Sequence, residues 1–315
     1  TAFEQVLADL ERVLGPDHPN TLTTRAHLAH WRGEVLGPDH PDTLTAWHNL
    51  AYWRGEAGDA AGAVTAFEQL LADQERVLGP GHPDTLGTRN DLTYRRGEAG
   101  DAAGAVTAFE QLLADQERVL GPGHPNTLNT RNNLAGFRWK AGDAAGAVTA
   151  LEQLLADKER VLGPDHPDTL ATRNDLAYRR GEAGDAAGAV TALEQLLVDK
   201  ERVLGPGHPN TLTTRYNLAG FRWKAGDAAG AVAAFERVLA DFERVLGPDH
   251  PDALNTRLFL ASLRGEAGDA AGAVTALEQL LADKERVLGP DHPNTLATRK
   301  ELARWRGKTG DAPVH

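Results

Sequence analysis

Between Asp143 and Leu162 the apolar side chains Ala147, Val148, Leu151, Leu154, Leu155, Val161 and Leu162 recur at three- and four-residue spacings, which lines one stripe of a helix. Glu152, Asp157, Lys158, Glu159 and Arg160 fall on the rest of its surface. A partner helix is predicted just before it, from about Pro125 to Lys140. Proline suits a first helical turn because its missing N–H would go unpaired there, and Asn126, or the Asp of sister segments, suits the positive end. Gly142 supplies the stop and Asp143 the next N-cap. Neither helix can keep its apolar side dry alone, so the two must pair as a hairpin and hairpins must stack. Gly146 and the alanines are expected to let the helices approach closely.

The pattern is reprinted along the chain. The proline of a GPxHP turn stands at Pro38, Pro80, Pro122, Pro164, Pro206, Pro248 and Pro290, 42 residues apart each time, which is a solenoid period. Each unit of such an array packs only on its neighbours, giving one elongated domain with a strip-like core. A longer rhythm overlies it, YRRGE units alternating with GFRWK units. The start breaks step: from Pro16 to Pro38 is 22 residues, and the missing 20 match AGDAAGAVTAFEQLLADQER, a whole second helix. The expected organisation is therefore an irregular segment 1–58, six regular periods over 59–310 and a tail 311–315. Two first-type helices in succession should reverse the packing polarity of the opening hairpin, so residues 1–36 are expected to cap the array or to dock on another copy. Thr1 opens in mid-repeat and methionine is absent, which reads as a piece of something longer.

Composition narrows the job. A net charge of -12 argues against nucleic acid or an anionic membrane as the main partner, since both are bound through clustered Lys and Arg. The absence of cysteine removes disulfides and thiolate chemistry, and no apolar run approaches the roughly 20 residues that cross a bilayer, so the chain reads as soluble and cytoplasmic. Ser262 is the only serine and no phosphate-cradling GxxxxGK[ST] loop occurs, so no catalytic residue and no cofactor is expected. His18, His40, His82, His124, His166, His208, His250 and His292 occupy one turn per unit. Stacked equivalents lie on the order of 10 Å apart, too far to share one metal ion, and a packing or capping role is expected instead.

The segment NLAGFRWKAGDAAGAVTALEQLL resembles a tetratricopeptide repeat: Leu134 and Ala135 match the Leu and small residue of the first helix, Gly142 the turn glycine, Ala147 and Leu151 the Ala and large apolar residue of the second. The 42-residue period with its HPxTL opening is similar to the repeats of kinesin light chains and bacterial relatives. The resemblance implies an all-α right-handed superhelical solenoid of antiparallel hairpins, and a protein- or peptide-binding scaffold serving as adaptor or ligand-sensing arm of a larger signalling protein. It departs in two rows of arginine, at positions such as Arg131 and Arg138. These rows share one face of the first helix. They either pair with acidic groups such as Asp157 and Glu159 or form an anion-binding ladder.

By the same resemblance the first helices line a concave groove, with Asn90, Tyr94, Asn132, Trp139, Lys140, Asn174, Tyr178, Tyr216, Trp223 and Lys224 as peptide-binding candidates. Asparagine offers donor and acceptor to an extended backbone, and aromatics anchor binding hot spots. Alternatively the aromatics fill space between helices, a bulky residue beside a glycine. Glu98, Lys140, Glu182, Lys224, Glu266 and Lys308 alternate in sign at one equivalent position, which suggests an ion-pair ladder. The competing function is structural: near-identical units with open ends, self-associating through those ends or the N-terminal region into oligomers or filaments.

Overall fold

Every first-type helix begins on the histidine–proline pair, and the histidine is its cap: Nδ1 of His18, His40, His82, His124, His166, His208, His250 and His292 accepts from the N–H two residues on at 3.1–3.2 Å. The imidazole thus satisfies a backbone donor that the first turn leaves open. Second-type helices are capped by aspartate, Oδ1 of Asp143 accepting from Gly146 at 2.9 Å. The glycine serves this cap, not helix approach, because a Cβ there would lie 1.9 Å from Asp143 Oδ2.

The structure, a computed structural model, describes residues 2–16 and 18–309; the expected tail 311–315 lies outside them. Among the described residues there are fifteen helices and no strand: α1 Ala2–Leu14, α2 Pro19–Leu36, α3 Pro41–Glu56, α4 Ala60–Val77, α5 Pro83–Glu98, α6 Ala102–Val119, α7 Pro125–Lys140, α8 Ala144–Leu162, α9 Pro167–Glu182, α10 Ala186–Val203, α11 Pro209–Lys224, α12 Ala228–Leu246, α13 Pro251–Glu266, α14 Ala270–Leu288 and α15 Pro293–Thr309. The chain divides into two units, Thr1–Val161 and Leu162–His315. In the first, α1 to α7 pack each on the next, and α3, α5 and α7 also touch in succession. In the second, α9 to α15 pack each on the next, with α9 against α11 and α13 against α15. Both are stacks of helical hairpins, as an all-α repeat array requires.

The irregular start resolves into a fused helix. The α2 helix opens as HPNTL, as first helices do, but runs 18 residues and leaves through Val35, Leu36 and Gly37, the exit used by second helices. Toward α1 it keeps first-helix ion pairs, Arg25 to Glu11 at 2.6 Å and Arg32 to Glu4 at 2.9 Å. Its other neighbour is α3.

The second helices supply the core through a spacing of four, three and four residues. In α6, Ala105, Phe109, Leu112 and Gln116 are all buried; in α12 the set is Ala231, Phe235, Val238 and Phe242. The last place in this series holds Gln74, Gln116, Lys200, Phe242 and Lys284, so an apolar stripe ends on a buried polar residue in most repeats. Lys200, 2% exposed, donates to Thr214 Oγ1 at 2.9 Å and to the Asn210 carbonyl at 3.2 Å. Burial lowers its pKa to about 8, with Asp175 opposing the shift and Arg173 adding to it. A depressed lysine pKa means that the unfolded chain binds more protons between the folded value and the usual 10.5, so stability rises with pH across that window. Urea unfolding from pH 7.5 to 10.5 is expected to show this rise. Lys200→Gln, which copies Gln116, should remove Lys200's share of it, and an unchanged slope in the variant would refute the assignment.

Candidate functional site

The apolar contacts between successive first helices join residues forty positions apart, while Lys–Glu pairs join equivalent positions 42 apart. Phe137 of α7 lies over Gly97 of α5, where a Cβ would come within 2.3 Å of its ring, and Phe221 of α11 lies over Gly181 of α9 at 2.2 Å. Trp305 of α15 covers Gly265 of α13 in the same way, and the Arg95 guanidinium covers Gly55. Where the first member is large, the second is smaller: Trp223 packs on the cluster that contains Leu263. This interlock accounts for the double period, since the Phe of each GFRWK unit needs the Gly of the YRRGE unit before it. Gly97 and Gly181 are thus paired with phenylalanine and Gly265 with tryptophan, and Gly136 and Gly220 face open space.

The site candidates gather round these phenylalanines. Tyr94 meets the Phe137 ring edge-on at 5.5 Å and stays 37% exposed; Tyr178 repeats this on Phe221 at 5.5 Å and 36%. Lys140 sits 5.1 Å over Phe137 and pairs with Glu98, while Lys224 sits 5.4 Å over Phe221 and pairs with Glu182 at 2.6 Å. Each unit therefore carries one copy of a patch built from a half-exposed tyrosine, a buried phenylalanine and a Lys–Glu pair. Tyr216 is half-buried against Phe235 at 5.3 Å, where burial raises its pKa, and Trp223 is half-buried beside it. Asn132 and Trp139 are half-buried.

Two candidates need correction. Asn90 and Asn174 do not offer free carboxamides to a groove: they are 6% and 8% exposed, and each Oδ1 accepts from a threonine of the next first helix, Thr130 at 3.1 Å and Thr214 at 3.0 Å. Asn133 adds a second bond to Asn90 at 3.2 Å. They are clamps between helices, placed where an unpaired polar group would be costly.

The arginine rows also find their partners. Arg131 pairs with Asp157 and with Glu117 at 2.7 Å, Arg138 with Glu110 at 2.9 Å, Arg215 with Asp241 and Glu201, and Arg222 with Glu194 at 2.8 Å. Such pairs stitch first to second helices, each worth at most about 1 kcal/mol where exposed. With those charges already answered, an anion ladder has nothing to stand on at these positions. Three turns that read GPDHP add a bidentate pair, at Asp39, Asp165 and Asp249; Arg76 meets Asp39 at 3.0 and 2.6 Å, which holds the Asp39 carboxyl below the usual range.

An open cleft of about 210 Å³ lies between α3, α5 and α7, lined by Tyr52, Glu56, Asn90, Asp91, Tyr94, Arg95, Asn129 and Asn133. Tyr52, Glu56, Asp91, Arg95, Asn129 and Asn133 escape a reading that compares equivalent positions; they meet across offsets of 39 and 43 residues, Arg95 with Glu56 and Tyr52, and Asn133 with Asn90. Arg95 lies 5.4 Å over Tyr52 and bonds Glu56 at 2.6 Å, so the floor is fixed before any ligand arrives.

No described helix is long and apolar enough to cross a membrane. A search of curated proteins finds no match. Among solved structures, the chain is similar to the nearly identical TPR-like repeats of a kinesin-light-chain-type protein from Podosopora anserina, at 30% identity and TM-score 0.58 over 65% of this chain and 97% of that one. It shares the fold of a Rap protein complexed with competence and sporulation factor, at 12% identity and TM-score 0.53, over 98% and 86%. It also shares that of a signal-transduction ATPase with a tetratricopeptide repeat sensor from Pyrococcus horikoshii, at 11% and 0.62, over 98% and 49%. A tetratricopeptide repeat family model matches residues 42–114, 94–156, 128–198 and 210–285, and a second matches 1–20. With capped, interlocked hairpins under those matches, this chain belongs to the tetratricopeptide repeat family.

Proposed function

We propose that the first-helix face binds an extended peptide or protein segment, and that the chain is the adaptor or ligand-sensing arm of a signalling protein. The observation that carries this is the doubled patch: Tyr94 and Tyr178 remain more than one third exposed on phenylalanines that are themselves buried, each beside a lysine. A rigid aromatic on a packed support is what a hot spot needs, because little side-chain entropy is lost on binding. The fold shared with a Rap protein complexed with competence and sporulation factor, and with a sensor array, supports the reading. Nothing in it calls for catalysis. The test is a pull-down with the wild-type array against the double variants Tyr94→Ala with Tyr178→Ala and Trp139→Ala with Trp223→Ala, each checked for an unchanged helical melt. Loss of a partner by about ten-fold or more in either variant is expected; equal retention by both would place binding elsewhere.

A second reading, self-association through the N-terminal region, draws on the exposed Val6, Val13 and Leu14 of α1 and Val35 and Leu36 of α2. Sedimentation that shifts with concentration would favour it over the adaptor.

A further inference from the structure

Between α3, α4 and α5 lies a niche of about 470 Å³ lined by Pro41, Leu44, Thr45, His48, Gln74, Leu78, His82, Pro83, Asp84, Gly87 and Asn126. Its counterpart between α11, α12 and α13, lined by Thr213, Tyr216, Phe242, Asp252, Asn255 and Thr256, holds about 240 Å³. Three substitutions at equivalent positions open the first: His48 for Tyr216, Gln74 for Phe242 and Gly87 for Asn255, a Cβ at Gly87 meeting nothing within 4 Å.

The enlarged niche carries an unmet acceptor. Gln74 is 3% exposed and its Oε1 has no hydrogen-bond partner. The His48 Nε2 lies 3.0 Å from Asp91 Oδ2, which holds the ring at the wall of the niche. The Asp84 side chain adds negative charge at the wall, while Leu44, Leu78, Pro41 and Pro83 supply apolar surface. In the equivalent column of the second unit Lys200 Nζ donates to Thr214 Oγ1 and the Asn210 carbonyl, the counterparts of Thr88 and Asp84. Gln74 stands where that lysine does and leaves its own carbonyl oxygen unpaired at the niche.

We infer that this niche takes a cationic side chain, arginine or lysine, of a bound basic peptide, the stem lying along Leu44 and Leu78 and the head on Gln74 Oε1 and Asp84. The inference rests on the proposed peptide-binding face, since Asp91 lines the neighbouring cleft and ties it to His48. A chain of net charge -12 suits such a ligand.

The test uses an acetylated, amidated glycine pentapeptide with arginine, lysine, leucine or glutamate at its centre, titrated into the full chain while the His48 ring resonances are followed by NMR. An arginine or lysine probe that shifts His48 and binds at least ten-fold more tightly than the leucine and glutamate probes is expected. Gly87→Asn and Gln74→Phe, which copy sister repeats and so keep the fold, should each abolish that preference with the melting temperature unchanged or raised. Cationic probes that bind no better than leucine, or unchanged binding in both filled variants, would overturn the inference. The Tyr94 and Tyr178 pull-down is read independently, so failure of the face and failure of the niche are told apart.

Discussion

Phe137→Ala is expected to destabilise the first unit by about 3–5 kcal/mol, the range for truncating a fully buried phenylalanine. Phe137 packs with Leu86, Ala105, Phe109, Leu112 and Leu134, stacks on Phe109 at 5.5 Å, receives the edge of Tyr94 and fills the dimple at Gly97. Removing the ring empties a space bounded by three helices that are tied by ion pairs and cannot collapse onto it freely. The loss should also be local, because units of such an array contact only their neighbours. Hydrogen exchange is the discriminating measurement: amides of α5, α6 and α7 should lose protection while those of α13 to α15 keep theirs. A loss below about 1 kcal/mol, or one spread evenly over all helices, would show that the Phe137 interlock is not what joins α5 to α7.

Gly181→Ala carries the opposite sign from the usual rule. In a helix interior, alanine in place of glycine normally adds about 0.5–1 kcal/mol. Here the new methyl would stand 2.2 Å from Phe221 Cε1 and 2.6 Å from Cζ, and the ring is 2% exposed, with little room to retreat. Overpacking of this kind costs about 1–3 kcal/mol. Urea titration should therefore show a lowered midpoint. Gly136→Ala, at a glycine facing open space, should raise it. The compensating double variant Gly181→Ala with Phe221→Leu should recover most of the loss, because Leu263 is what the fold places beside the larger Trp223. Should Gly181→Ala prove as stable as Gly136→Ala, the close approach is not a constraint.

Much of this was legible in the sequence, because it is local. The stretch Pro125 to Lys140 is a helix with those bounds, Asp143 caps the next one, Gly142 turns with φ near +89°, and the histidines close each first turn. Arginine paired with Asp157 was likewise readable from charge on facing helices. What escaped depends on register between helices. Asn90 and Asn174 look like groove residues in a single repeat; only the offset of the next helix shows the threonine that takes up their oxygens. Lys158 sorts to the polar face by its charge, yet the period of the stripe points the same position inward, and its counterparts Lys200 and Lys284 are 2% and 1% exposed. Val161, read as part of the stripe, is exposed, since the buried spacing ends before the turn. Polarity and periodicity conflict at those places, and packing followed the period.

The forty-residue interlock also limits how such a chain can change length. Excising one period, residues 252–293, would join Pro251 to Asn294, make α15 the first helix that follows α11 and set Trp223 opposite Trp305, two indoles contesting one socket. Excising two, residues 210–293, would bring Gly181 opposite Trp305, a match the molecule already makes with Gly265. Growth and shrinkage at this end should therefore proceed in steps of 84 residues, so the unit of inheritance is the dimer of repeats.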